Sequence, residues 1–288
     1  MTHQQPNRHH RSLHAYEEHW HRKHRANLRR RAFAIVGVAL MMLALAFIVL
    51  TLVSPQLLMR LSGSQGGNRM ATNAQSPHAS GRYDGLDISH HQGHVEWGRV
   101  GRNPNVQFVY LKATEGSGFV DRCYARNVAG ARRAGIAVGS YHYLTSGSSM
   151  LAQFRNFYSV VDRRKQDVVP MVDIEREGIR GWSRRQMQDS LAVFIHLIET
   201  HYLCTPMIYA HAKFYNDNLA PHFNHYRLFL ARYNMQQPVV AGDGRHDLWQ
   251  HTDQGVVEGI GSLVDLDVFS AGTTLADIHM PPYKPLPK

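Results

Sequence analysis

The chain has 288 residues, 43% of them hydrophobic, a formal net charge of +10 and two cysteines. That composition is ordinary for a folded protein and admits one large domain or two small ones. Two cysteines 81 positions apart exclude a disulfide scaffold and any CxxC metal or redox site, and leave Cys123 and Cys204 either as one bridge or as two buried thiols.

In chain order, residues 1–31 carry eight basic side chains against Glu17 and Glu18, a net +6, together with seven histidines. No spacing among these histidines fixes a metal geometry, and a basic tail lying against anionic lipid explains them without a nucleic-acid partner. Residues 32–53, AFAIVGVALMMLALAFIVLTLV, are 22 residues without a charge, long enough to cross a hydrocarbon core of about 30 Å as one helix. A cleaved signal peptide has a shorter apolar region and a small-residue cleavage site, neither of which is found here. Arginines 29–31 abut the start of the run, so the positive-inside rule predicts a single span with the N-terminus in the cytoplasm and the rest of the chain outside it. Residues 54–82 are rich in Gly, Ser, Asn and Gln and read as a flexible tether. A folded domain is expected from 83 to 288.

Eight strands are predicted in that domain, at 85–89, 107–113, 136–144, 168–175, 206–210, 226–232, 247–252 and 262–269. Helical stretches lie between several of them: 121–135 with Gly135 as a C-terminal stop, 148–161, and 183–202 opening on Ser183 as N-cap. Strand alternating with helix points to a β/α barrel rather than a sandwich. The last three strands leave too little room for full helices, so the barrel is expected to be irregular in its final third.

Acids mark the strand ends. VVPMVDIEREG, residues 168–178, carries Asp173 and Glu175 either side of Ile174, and residues i and i+2 of a strand share a face. Two like charges in a partly dry space push their pKa values apart, which keeps one acid protonated while its neighbour ionises. The bland alternative is a strand running into a solvated acidic turn. Asp87 on the first strand, with Asp265 and Asp267 on the last, favours the first reading, because several acids at the mouth of one barrel are costly unless they serve chemistry.

Taken in order, these segments resemble the glycoside hydrolase family 25 lysozymes, the Chalaropsis-type N-acetylmuramidases. GLDISHHQGHVEW resembles the family's opening strand through Asp87, Ser89, Gln92, Gly93 and Trp97; LKATEG its second through Lys112, Thr114 and Glu115; GSYHYL its third through Tyr141 and His142. VDIE resembles its catalytic Asp-x-Glu, IYA with Tyr209 its fifth strand, WQHT with Trp249 and Gln250 its seventh, and VDLDVF with Asp265 its last. The resemblance spans about residues 83–269. It implies a flattened barrel of eight strands and about five helices, cleavage of the bond between N-acetylmuramic acid and N-acetylglucosamine in peptidoglycan strands, and no cofactor.

By matching position it implies Glu175 as general acid, Asp173 as nucleophile or as the group that orients the substrate's 2-acetamido arm, and Asp87 and Asp265 as their hydrogen-bonding neighbours. Lys112, Tyr141, Tyr209, Trp249 and Gln250 would line the groove, where aromatic faces suit sugar C–H surfaces. His91 stands where many relatives carry Trp or Tyr, and Asp267 where many carry Asn. With the span at 32–53, the resemblance implies a single-pass protein of the bacterial plasma membrane whose barrel faces the wall. A non-catalytic glycan-binding barrel is the competing reading; a metal hydrolase has no HExxH or comparable ligand spacing to support it.

Overall fold

The computed structural model describes residues 82–282. The basic tail, the uncharged run at 32–53 and nearly all of the tether lie outside the described residues. Among those described, no helix is long and apolar enough to cross a membrane.

The elements run β1 (Gly85–Ile88), α1 (Trp97–Val100), β2 (Phe108–Glu115), β3 (Phe119–Val120), α2 (Tyr124–Arg133), β4 (Ala137–Tyr143), α3 (Met150–Val160), β5 (Met171–Asp173), α4 (Arg184–Tyr202), β6 (Met207–His211), α5 (Ala212–Asn218), β7 (Arg227–Ala231), β8 (Leu248–Gly255), β9 (Val264–Phe269) and α6 (Leu275–Ile278). Eight strands close a ring in the order β1-β2-β4-β5-β6-β7-β8-β9, and the two-residue β3 folds back on β2 outside it. The eight-stranded barrel is the expected one, with about six helices, two of them four residues long.

Closure is not all parallel. β7 and β8 are still parallel, but β9 pairs antiparallel with both β8 and β1, because the short segment between Gly255 and Val264 cannot carry the crossover that a parallel neighbour requires. Its consequence for the site is direct: β9 delivers Asp265 to the mouth from its N-terminal end, where a regular barrel would use a C-terminal end. The fourth expected strand is also shorter than its apolar run, since Pro170 has no N–H to give and pairing starts at Met171. Helix α5 follows β6 with no gap, and no capping residue in the sequence announces it.

Local signals account for the other helices. Ser183 caps α4 and forms a reciprocal box with Gln186; Leu191, Phe194, Ile195, Ile198 and Tyr202 then make its buried stripe. After α2, Gly135 takes φ 76, the left-handed conformation a helix stop needs. The barrel interior is filled by Phe108, Tyr110 and Phe229, while Phe154, Phe157 and Phe194 fill the layer between the sheet and helices α3 and α4. Burial of each such ring contributes about 2–3 kcal/mol. Cys123 and Cys204 are both buried free thiols, so the bridge is not formed.

Candidate active site

The mouth is assembled from strand ends by alternation. On β4, Tyr141 and Tyr143 face the cleft and His142 faces out. His142 is fully buried against the Phe194 ring at 4.8 Å, bonded through its ring nitrogens to Thr114 Oγ1 (2.7 Å) and Gln153 Oε1 (3.2 Å). Burial pushes its pKa down to about 4, so it is a neutral core histidine. On β2 the register slips between Lys112 and Thr114, an irregularity that turns Thr114 outward beside His142 and brings Glu115 back to the side of Lys112. Their charged ends meet at 2.8 Å, with the ammonium 4.8 Å from the centre of the Tyr143 ring.

The resulting cleft encloses about 250 Å³ and is lined by Asp87, Lys112, Tyr141, Asp173, Glu175, Tyr209, Gln250 and Asp265, eight of the nine expected positions. Tyr143 and Tyr233 also line it. Tyr143 sits on the face that alternation assigns to Tyr141. Tyr233 lies in the loop after β7, where no periodicity reaches, and an aromatic residue just beyond a strand's C-terminal end is the only signal it gave. Ser89, His91 and Gln92 form one rim. That turn is held by a Ser89–Gln92 capping box and by buried Asp121, which accepts from the His90 backbone N–H at 2.8 Å.

Trp249 is the exception and corrects the expectation. Trp249 and Gln250 are neighbours on β8, and neighbours on a strand point to opposite faces. Gln250 takes the inward place, its Oε1 accepting from the hydroxyls of Tyr209 (2.7 Å) and Tyr233 (2.8 Å). Trp249 therefore points outward, its Nε1–H bonded to the Arg232 carbonyl at 2.9 Å. There it lines a larger concavity of about 690 Å³ on the outer side of β8 and β9, whose only acid is Asp84. The expected acids gather in the smaller cleft.

Electrostatically the cleft is a set of mutually opposed acids around one lysine. Asp87 lies directly across the β1–β9 pair from Asp265, an arrangement in which like charges repel. Burial and then Asp265 raise Asp87 well above the carboxylate range; burial, Asp253 and Glu175 push Asp265 up to about 7. Burial and then Glu175 raise Asp173 well above its ordinary value, and its Oδ1 is buried without a hydrogen-bond partner. Glu175 is only partly buried. Burial and Glu177 raise it, while Lys112 and a hydrogen bond from Tyr143 act against the rise. Burial and mutual repulsion thus favour the protonated form of these carboxyls, and Glu175 holds a partly accessible position among them, which suits proton donation to a leaving oxygen.

Comparison with known proteins decides the family. A model of the glycosyl hydrolases family 25 matches residues 86–260, more than half of the chain. The chain belongs to glycosyl hydrolase family 25. As a family 25 glycoside hydrolase it is 34% identical over 196 residues to the uncharacterized protein YegX of Escherichia coli K12, covering 67% of this chain and 71% of that one. It is 31% identical to the autolytic lysozyme of Clostridium acetobutylicum, over 65% of this chain and 56% of that one. Among solved structures, the bacterial lysozyme from Streptomyces coelicolor superposes with a TM-score of 0.62 at 28% identity, over 69% of this chain and 96% of that one. A family 25 glycosyl hydrolase from Bacillus anthracis gives 0.61 at 26% identity, over 68% and 93%.

Proposed function

We propose that this family 25 enzyme is a muramidase, which cleaves the β-1,4 bond between N-acetylmuramic acid and N-acetylglucosamine in peptidoglycan. The observation that carries the reading is the placement of Asp173 and Glu175 in one cleft with Asp87 and Asp265; the similarity to lysozymes supports the substrate class. Glu175 protonates the glycosidic oxygen as the bond breaks. Asp173, buried in the cleft wall and with its protonated form favoured by burial and by Glu175, is a poor nucleophile but a good hydrogen-bond partner for an amide. It therefore orients the 2-acetamido group, whose carbonyl oxygen attacks the anomeric carbon, and water then opens the resulting ring with net retention. Tyr141, Tyr209 and Lys112 supply the walls and donors that hold the sugar. Anchoring through residues 32–53 with the N-terminus inside is part of the same proposal, since it places the barrel where the polymer is.

The test uses the 83–288 domain on purified walls, with borohydride-reduced digests read by mass spectrometry. New muramic acid ends from the wild type and none from Glu175→Gln support the proposal. New glucosamine ends, or no new ends while the domain still binds walls, would overturn it.

A further inference from the structure

One acid of the barrel is not used by this mechanism. Asp267 lies two residues beyond Asp265 on β9, one layer deeper, fully buried, and neither of its carboxyl oxygens has a partner at hydrogen-bond distance and angle. An unpaired buried carboxyl costs free energy on folding and is retained only where something depends on it. Its position says what that is. Asp267 is directly opposite Gln250 in the β8–β9 pair, so the two side chains share the inner face; burial, then Asp87 and Asp265, raise the Asp267 carboxyl well above its ordinary value, and the Gln250 amide acts against that rise.

The Gln250 amide has two ends, and one is already committed. Its Oε1 accepts both tyrosine hydroxyls, Tyr209 at 2.7 Å and Tyr233 at 2.8 Å, which fills the two lone pairs of an amide oxygen. Among the described residues the Nε2 end is left without a partner in the barrel wall, and the carboxyl directly opposite it, Asp267, is itself unpaired. Rotation of the amide by half a turn would present N–H groups to two hydroxyls that now donate, and both tyrosines would have to turn with it. Nothing in Gln250 itself prevents that rotation; a fixed acceptor at its Nε2 end would.

We propose that Asp267 is a positioning residue: a small turn of its unpaired carboxyl closes a hydrogen bond from the Gln250 amide N–H directly across the β8–β9 pair, which holds the Gln250 oxygen toward Tyr209 and Tyr233 and fixes both hydroxyls at the floor of the substrate cleft. The inference rests on the muramidase reading only for its catalytic consequence. The coupling itself is a property of the folded barrel. Asp267 touches no substrate, and its effect reaches the cleft through Gln250. The residue type is defined by this role: a carboxyl or a primary amide at 267 offers an acceptor oxygen, and an alkyl group of the same size does not.

The experiment compares Asp267→Asn, Asp267→Leu, Gln250→Leu and the Asp267→Leu/Gln250→Leu double variant, all in the 83–288 domain, with folding checked by thermal melting. The Gln250 side-chain amide is followed by nitrogen-edited NMR, and kcat and KM are measured on solubilised wall glycan. The expected result is that Asp267→Asn keeps the slow-exchanging Gln250 amide signal and its kcat within about threefold. Asp267→Leu should lose the protected signal and about tenfold in kcat, a loss on the scale of one misplaced active-site hydrogen bond. On the Gln250→Leu background, Asp267→Leu should cost nothing further.

A protected Gln250 signal in Asp267→Leu would overturn the inference, as would equal losses in Asp267→Asn and Asp267→Leu, or additive losses in the double variant. If the wild type proved inactive on every wall, the muramidase reading would fall while the NMR comparison still decided the coupling.

Discussion

Replacing Glu175 by Gln separates what this carboxyl does for the reaction from what it costs the fold. As the proposed proton donor it should supply about 10²–10⁴-fold in rate, equivalent to about 3–5 kcal/mol of barrier, and an amide of the same shape cannot replace it. Against the fold the effect has the opposite sign. Glu175 is raised above its ordinary 4.5 by burial, so the folded state holds a proton that the unfolded chain releases, and the site costs stability once the pH exceeds about 4.5. Asp173 and Glu175 are two residues apart in an extended segment, about 6.6 Å. Two ionised carboxylates at that distance repel by about 2.5 kcal/mol at an effective dielectric near 20. Because burial already favours the protonated form of Asp173, only part of that is recovered on substitution. About 1 kcal/mol would raise the melting temperature by about 2–4 °C in a domain of this size. The assay is paired: kcat on wall glycan, and thermal melting of wild type and Glu175→Gln from pH 4 to 8. The variant should be inactive, more stable at pH 7, and indistinguishable from wild type in melting at pH 4. More than a tenth of the wild-type kcat, or a variant less stable at pH 7, would refute the reasoning.

Three further substitutions test the surroundings. Asp265, at about 7 in the fold against an ordinary 3.8, penalises the folded state progressively as pH rises from about 4 to 7; Asp265→Asn should flatten the fall of melting temperature across that window, and an unchanged slope would show that Asp265 ionises normally. Lys112 acts to lower Asp87, Asp173 and Glu175, so in Lys112→Met the alkaline limb of the kcat/KM profile should move to higher pH, and a move to lower pH would contradict this electrostatic account. Gly178→Ala would set a Cβ 2.2 Å from the Leu144 carbonyl oxygen and 2.7 Å from the Tyr143 ring. Relief of that overlap costs about 1–3 kcal/mol, read as a lower melting temperature, and displaces the tyrosine that bonds Glu175, read as a lower kcat.

Much of the site is legible in local sequence because alternation is a local property. The parity of Asp173 and Glu175, the N-cap at Ser183 and the stop at Gly135 each depend on residues within one or two turns of chain, and each is found where the sequence places it. The parity rule also forbids Trp249 and Gln250 from facing the cleft together, but it does not say which faces in. That choice is made by Tyr209 and Tyr233, whose hydroxyls need an acceptor and come from two other segments of the chain. His142 and its neighbouring tyrosines present the same undecided alternative, settled by Thr114, Gln153 and Phe194.

What the sequence by itself determined is therefore the eight strands of the ring, though not the short β3 outside it, and the acids carried near their ends, since propensity, capping and two-residue periodicity act over short distances. The tertiary structure alone decided the antiparallel entry of β9, the slip in β2 that returns Glu115 to Lys112, and the outward turn of Trp249. Each of these depends on closing a ring between residues more than a hundred positions apart or on pairing with a neighbouring strand. Their free energies are set by partners that no local window of sequence contains.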